Sequence, residues 1–409
     1  MTGHAVIIGY VWPEPGSSAA GRHMMEIIQV LKAKDWQIIF ASAAAKSDHQ
    51  ADLSALGIKS KTIELNSSRF DRWIAQLQPE LVIYDRFYTE EQFSWRVAKV
   101  SQHTLHVLDT EDLHFLREGR ALTRDGQATS QAQITASDIA YRELASIYRS
   151  DLSLIISSAE MQQLQQTFNV DSDLLHYFPF LMNLNDAAAQ NSYAQRKDFV
   201  FVGTLRHQPN LQAVRLLKKQ LWPLIRKQLP NTRLNIIGSY MTKEVSQMHK
   251  PAEGFHVLGR VDDLEQALLE SRVMLAPLMF GAGLKGKLID AMEQGVPSVT
   301  TPVGAEGISD DNWPGLVAID VPQLANASVR LYQDEDFWTE CQRAGFALLR
   351  EKFDQKTHTD KLASRLEDLM ENLTAFRSRN FIGSMLRHHF HASTEYMSRW
   401  IECKNKKSP

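Results

Sequence analysis

Three glycines, Gly281, Gly283 and Gly286, alternate with two lysines, Lys285 and Lys287, at the head of an apolar run with helical spacing. Bare backbone at a helix start leaves amide N–H groups unpaired and aimed outward, and with the helix dipole they make an anion site. An ammonium group in the same turn meets phosphate as a flexible point charge. The pattern therefore points to recognition of a diphosphate by the loop Phe280, Gly281, Ala282, Gly283, Leu284 and Gly286, with a cation from Lys285 or Lys287. Asp290, one turn beyond Lys287, is too close to that charge to hold phosphate and is suited to accept hydrogen bonds from ribose hydroxyls.

Two further stretches carry chemistry. At 107–124 an apolar run ends at Asp109 and is followed by Glu111, Asp112, His114 and several arginines. Such a cluster at the carboxyl end of a strand can orient an acceptor hydroxyl or bind a charged acceptor, with Asp112 and His114 as the candidate catalytic groups. The same residues also read as a solvated helix start capped by Thr110 or Asp109. Nearer the amino terminus, WPEPGSSAAGRH at 12–23 offers Gly16, Ser17, Ser18, Gly21 and Arg22 for an acceptor or phosphate contact. A flexible connection is the competing reading.

GAGLKG also satisfies G-x-G-x-x-G, the dinucleotide fingerprint, with Glu306 about 20 residues on. That fingerprint belongs to the first strand and helix of its sheet, whereas strand-like runs from Phe199 onward precede this one. The acid should also end the second strand, yet Pro302 and Gly304 come before Glu306. Asp171-Ser172-Asp173 spells D-x-D but stands between a helix and a strand, so it reads as a turn.

The elements that must position these groups alternate regularly. Apolar runs at 6–10, 37–42, 81–84, 106–109 and 152–157 are separated by helical segments, and the alternation resumes at 199 with strands near 233–238, 255–258, 273–278 and 296–301. This predicts two parallel sheets covered by helices on both faces. The helix after the glycine loop opens at about Lys287 and stops before Gly295. Residues 137–149 read as a structural amphipathic helix with Ile139, Leu144 and Ile147 inward and Arg142, Glu143 and Arg149 outward. The polar stretch 179–197 is the expected interdomain hinge. The expected division is 1–185, 186–354 and a helical tail 355–409.

The run from Phe199 to Ile308 resembles the donor-binding half of the GT-B glycosyltransferases, specifically glycosyltransferase family 4. FVGTLRHQPN (201–210), NIIGS (235–239), HVLGRVDDL (256–264), APLMFGAGLKGKLIDAMEQGVPSVTT (276–301) and GAEGI (304–308) carry the likeness. The resemblance implies two Rossmann-like domains facing across a cleft, with the last helices returning to the first domain. It implies transfer of a sugar from a nucleoside diphosphate donor to a glycan, lipid-linked or protein acceptor, with retention and without a metal or other cofactor. Gly203, Arg206, His207 and Gly238 then join the donor site, Val261 and Asp262 border the base, and Lys285 with Arg206 stabilises the leaving diphosphate. Gly16, Ser18, Gly21, Arg22, Asp109, Glu111 and His114 fall on the acceptor side. The family usually carries two glutamates eight positions apart; those places hold Ala282 and Asp290 here. Of its Arg and Lys pair, Arg206 and His207 stand near the right place but the lysine is absent, and Lys285 or Lys287 is expected to supply that charge.

With 409 residues, a net charge of −3 and a 44% apolar composition, the chain has the bulk of two ordinary domains and no overall drive toward nucleic acid. Two cysteines, Cys341 and Cys403, argue against a disulfide framework and fit a reducing cytoplasm. No apolar run is long enough to span a bilayer. The tail from Phe376 sets Arg377, Arg379, Arg387, Arg399, Lys404, Lys406 and Lys407 against only Glu395 and Glu402, with aromatics interleaved. It reads either as a peripheral contact with an anionic membrane or as helices packed on the first domain. His388, His389 and His391 lack the acids or cysteines that would complete a metal site. The readings in competition with a transferase are a sugar-nucleotide epimerase of the same fold, a dinucleotide-dependent oxidoreductase and a non-catalytic nucleotide-sugar-binding partner.

Overall fold

Among the described residues the strand runs pair with one another in parallel, in two separate sheets. In the computed structural model, residues 3–124, 131–183, 192–309 and 312–406 are described. The first sheet holds β1 (His4–Gly9), β2 (Gln37–Ser42), β3 (Lys59–Thr62), β4 (Leu81–Asp85), β5 (Leu105–Asp109), β6 (Leu152–Ile155) and β7 (Leu175–Tyr177), in the order β3-β2-β1-β4-β5-β6-β7. The second holds β8 (Lys197–Val202), β9 (Leu234–Ile237), β10 (Phe255–Gly259), β11 (Ser271–Ala276), β12 (Ser298–Thr300) and β13 (Gly315–Val317), in the order β10-β9-β8-β11-β12-β13.

In both sheets the order reverses beside the first strand, at β1/β4 and β8/β11. A crevice opens at the carboxyl ends of the strands at such a switch point. The loops after β1, β5, β8 and β11 lie there, and these are the loops that carry the chemistry-bearing residues. Central strands such as β4 (LVIYD) are buried throughout, as a sheet covered on both faces requires. The edge strand β3 (KSKT) is exposed at every position, which is why apolar patterning does not reveal it.

The C-terminal helix Gln355–Arg379 buries Leu362, Ala363, Leu366, Leu369, Leu373 and Phe376 in the core of the first domain. The chain crosses between domains twice, and the crossings are tied together: Met182 N donates to Phe353 O at 2.8 Å and Gln355 N to Met182 O at 3.0 Å. The middle of the expected hinge, residues 184–191, lies outside the described residues, as do Lys407 and the side chains of His389 and His391. Asp171 caps a single 3-10 turn at Ser172–Leu174, so D-x-D is a turn here.

The helix Asp138–Arg149 departs from its amphipathic reading. Glu143 and Arg149 are buried, Arg149 pairing with Glu90 at 2.5 Å. This helix packs between neighbours on two sides, so an acid and a base whose partners lie elsewhere in the chain replace the expected outward polar face.

Candidate active site between the two domains

The glycine loop follows β11 and ends at the helix Gly286–Glu293, with Lys285 at its N-cap. Gly281 (φ +149°) and Gly283 (φ +64°) hold backbone conformations that other residues rarely adopt. A Cβ on Gly283 would lie 2.9 Å from the Asp112 Cβ, and one on Gly286 would lie 2.8 Å from the Ala19 Cβ. Two of the three glycines therefore let the first domain approach the loop, a role additional to exposing amides.

Lys285 is the largest departure from expectation. It is 7% exposed and its Nζ donates to Gly283 O at 2.6 Å, bracing the loop from inside. Burial lowers its pKa, while Glu306 and Glu160 oppose that shift. Glu160, from the helix Ser158–Thr167 of the first domain, accepts at Oε1 from both Gly283 N (2.8 Å) and Leu113 N (2.9 Å). One carboxylate oxygen thus joins the glycine loop to the 109–114 loop. Its Oε2 is buried with no hydrogen-bond partner, and burial followed by Asp112 raises the pKa of this carboxyl. Alongside, Arg120 grips Glu306 through both oxygens (2.7 and 2.9 Å) and donates to Gly281 O at 2.8 Å. Glu306 is therefore committed to a side-chain pair between domains.

The cations left accessible to a ligand come from other positions. Arg206 is exposed and stacks 4.8 Å over the Tyr240 ring. Lys287 reaches Asn210 Oδ1 at 2.7 Å, and burial followed by Lys285 lowers it to about 8. His207 keeps an exposed edge; desolvation by the surrounding protein, then Lys287 and Arg117, lower it to about 4. The close approach at Gly203 is filled by Asn210, whose side chain a Cβ would meet at 2.6 Å; a Cβ on Gly238 would collide with Gly203 itself. Val261 is half-buried against the core beneath the loop, and Asp262 is exposed.

Arg22 and Asp290 were expected on opposite ligands, acceptor and ribose. They instead meet each other: Arg22 Nη1 lies 2.5 Å from Asp290 Oδ1, with Glu293 at 3.5 Å and Glu26 at 3.2 Å completing the cluster. Asp290 Oδ2 has no hydrogen bond among the described residues. The loop after β1 is likewise spent on contacts. Ser18 caps the helix Ala19–Ala33 through Gly21 N (3.0 Å), and Thr204 of the second domain donates to Ser17 O at 2.7 Å. Gly21 is required because a Cβ would sit 2.5 Å from the Glu14 backbone; Gly16 is open, with Arg260 nearby.

On the first-domain wall, His114 heads the helix His114–Arg124. Its Nδ1 lies 3.0 Å from Asp112 O and 3.2 Å from Glu143 Oε1, and the rings of Phe87 and Tyr88 meet it edge-on. Donation from Nδ1–H fixes the tautomer in which Nε2 is the acceptor, and Nε2 has no partner among the described residues. Glu143 is itself held by His114 N (3.1 Å) and Phe115 N (3.2 Å). Burial works to raise the Asp112 carboxyl, but Arg117 and His114 together hold it below its usual value.

Behind His114 lies a buried group of His23, Asp109 and Glu111, whose ligand atoms fall within 4.8 Å of one another. His23 Nε2 donates to Phe178 O at 3.1 Å, leaving Nδ1 unpartnered 3.7 Å from Asp109 Oδ1. The spacing would admit a cation. Arg86 already supplies positive charge here, pairing with Asp85 at 3.0 Å. Burial, and then neighbouring carboxylates, push Asp109 and Glu111 well above the usual range. The native state therefore binds protons that the unfolded chain releases, and this contribution to stability falls as pH rises from ~4 toward about 8 for Asp109. Asp109→Asn removes one such titration. Melting curves at about pH 5 and 8 should show a shallower fall for the variant than for the parent; equal slopes would place the titration elsewhere.

Residues 196–334 match the family model described as Glycosyl transferases group 1. This stretch is similar to a glycosyltransferase domain. It contains the glycine loop, Arg206, His207, Lys287 and Asp290. The fold of the chain as a whole is GT-B. It superposes on sucrose-phosphate synthase from Thermosynechococcus elongatus with a TM-score of 0.65 at 15% identity, covering 90% of this chain and 99% of that one. It superposes equally well, at 0.65 and 14%, on Anabaena Alr3699/HepE in complex with UDP and glucose, covering 90% and 100%. An uncharacterized 44.6 kDa protein in the cps region of Klebsiella pneumoniae is 25% identical over 165 residues, 38% of this chain and 42% of that protein. The match thus spans less than half the length of that curated relative.

Sequence reasoning missed four residues of the cleft between the domains: Glu160, Glu143 and Arg120 in their present roles, and Asn210. A signal existed for two. Glu143 stands four residues from Ile139 and four from Ile147, inside the apolar stripe, and an acid in such a stripe needs a buried partner. Glu160 lies in the first turn of the helix after β6, at the carboxyl edge of a parallel sheet.

Proposed function

We propose that the transferase moves a sugar from a nucleoside diphosphate donor to a glycan, lipid-linked or protein acceptor, with retention and without a metal. The observation that carries this reading is the apposition across one cleft of an amide-rich glycine loop with Lys287 and Arg206 on one wall and His114, its Nε2 unpartnered, on the other. Negative charge develops on the departing diphosphate, and fixed donors and cations around the loop stabilise it there. Asp290 accepts from the ribose through Oδ2 while Arg22 holds Oδ1. His114, oriented by Glu143, accepts a hydrogen bond from a sugar or acceptor hydroxyl through Nε2. The leaving phosphate takes the acceptor proton as the new glycosidic bond forms.

UDP is the first base to test, because the Anabaena neighbour holds it. A thermal-shift panel of UDP, GDP, ADP, CMP and NAD(P), with and without Mg²⁺, tests the donor: a ligand at ~100 times its dissociation constant adds ~2.7 kcal/mol of stability. Stabilisation by one nucleoside diphosphate without metal is the expected result, and a response to NAD(P) alone would overturn the reading. His114→Ala should lower transfer ~10-fold, the scale of one lost hydrogen bond to the acceptor, with donor affinity nearly intact. Glu143 keeps two backbone donors in that variant, so the wall is preserved. Equal losses in transfer and donor affinity would move His114 out of the acceptor role.

A further inference from the structure

One helix concentrates large apolar side chains that stand out of the protein surface. In Phe381–Lys406, Phe381 is 75% exposed, Tyr396 74%, Met397 and Trp400 60% each, Met385 47% and Ile382 46%. At ~3.6 residues per turn these six fall on one arc of the helix. The opposite side docks on the first domain: Arg387 donates to Arg149 O (2.7 Å) and to Asp151 Oδ1 (2.9 Å), Phe390 lies under the Arg149 guanidinium at 4.0 Å, and Ser398 bonds Asn66 and Arg96 (2.8 and 2.6 Å).

The charges on this helix are sorted in the same way. Its two acids reach toward the domain, Glu395 to Lys99 and Glu402 to Ser68, whose N and Oγ both donate to it, and each also pairs with a cation one turn on, Arg399 at 2.7 Å and Lys406 at 2.9 Å. Arg399 and Lys406 stay 54% and 69% exposed at the side chain, and Lys404 stacks 5.2 Å from the Trp400 ring. No acid lies on the apolar arc. An arc of aromatic and apolar groups flanked by cations suits the headgroup level of a bilayer. A second copy of the chain fits less well, because a two-fold contact would set these cations against their own equivalents.

We infer that this helix face docks on an anionic lipid surface. The helix packs against Asp138–Arg149, whose Glu143 holds His114, so a lipid surface would lie on the same domain as the acceptor wall, two helices away from it. Taken with the proposed transfer reaction, on which this step rests, that selects a lipid-linked acceptor among the three classes.

Flotation of the full chain with vesicles of phosphatidylcholine alone, and of phosphatidylcholine mixed with phosphatidylglycerol, tests the docking. The protein should float with the anionic vesicles at low salt and at least ~10-fold less with the neutral ones. The double variant Phe381→Glu/Trp400→Glu should lose flotation while keeping the parent's nucleotide-induced thermal shift. Flotation unchanged in the double variant, or no flotation of the parent at low salt, would overturn the docking. A parent dimer in light scattering that the double variant abolishes would assign the face to a second copy instead. Flotation retained without any nucleotide response would sink the transfer reading and leave lipid docking intact.

Discussion

Replacing Lys285 by alanine should weaken UDP binding by ~1.5–3 kcal/mol, the scale of a hydrogen bond from a charged group, and lower stability as well. Two effects combine. The ammonium braces Gly283 O at 2.6 Å, so its loss leaves that carbonyl unpaired and releases the loop amides from their fixed geometry. It also removes the positive charge that lies among Glu160, Glu306 and Asp112. Calorimetric titration with UDP and urea unfolding read the two effects separately. Lowered stability with unchanged affinity would make Lys285 a builder of the loop only, leaving Lys287 and Arg206 as the cations that meet phosphate.

Glu160 should respond differently to two substitutions. Glu160→Ala strips the acceptor from Gly283 N and Leu113 N together, and each buried donor left unpaired costs ~1–3 kcal/mol. A melting temperature lowered by several degrees and a loss of nucleotide response are expected. Glu160→Gln keeps a carbonyl oxygen for both donors while removing the acid, so it should bind UDP close to the parent. Its activity against pH should lose any limb that belongs to this carboxyl, whose pKa burial raises. If the glutamine variant falls as far as the alanine one, the charge of Glu160, and not its two hydrogen bonds, is what the site uses.

The unit from β11 through the glycine loop into Gly286–Glu293 was legible because its signals are local: an apolar run, glycines at required φ values, and helical spacing stopped by Gly295. Both sheets were legible for the same reason, apart from strands such as β3 and the three-residue β7 and β13, which are too polar or too short to show an apolar period. What could not be read is pairing. Arg22 and Asp290 lie 268 residues apart, and Glu160 is 123 residues from Gly283. A charge at a cleft looks the same in sequence whether it awaits a ligand or already holds a partner. Lys285 shows the cost of that ambiguity: residue type and spacing suggested an open cation, and the fold turned it inward.

The helix that closes the first domain's core comes from residues 355–379, after the whole second domain. During synthesis, at ~5–20 residues per second, the first domain must therefore leave the ribosome with an uncovered apolar face. The second domain can complete its own layers before that face is covered. A fragment ending at residue 185 should consequently be prone to aggregation and held by chaperones, and adding the 355–379 segment as a separate peptide is the direct way to rescue it.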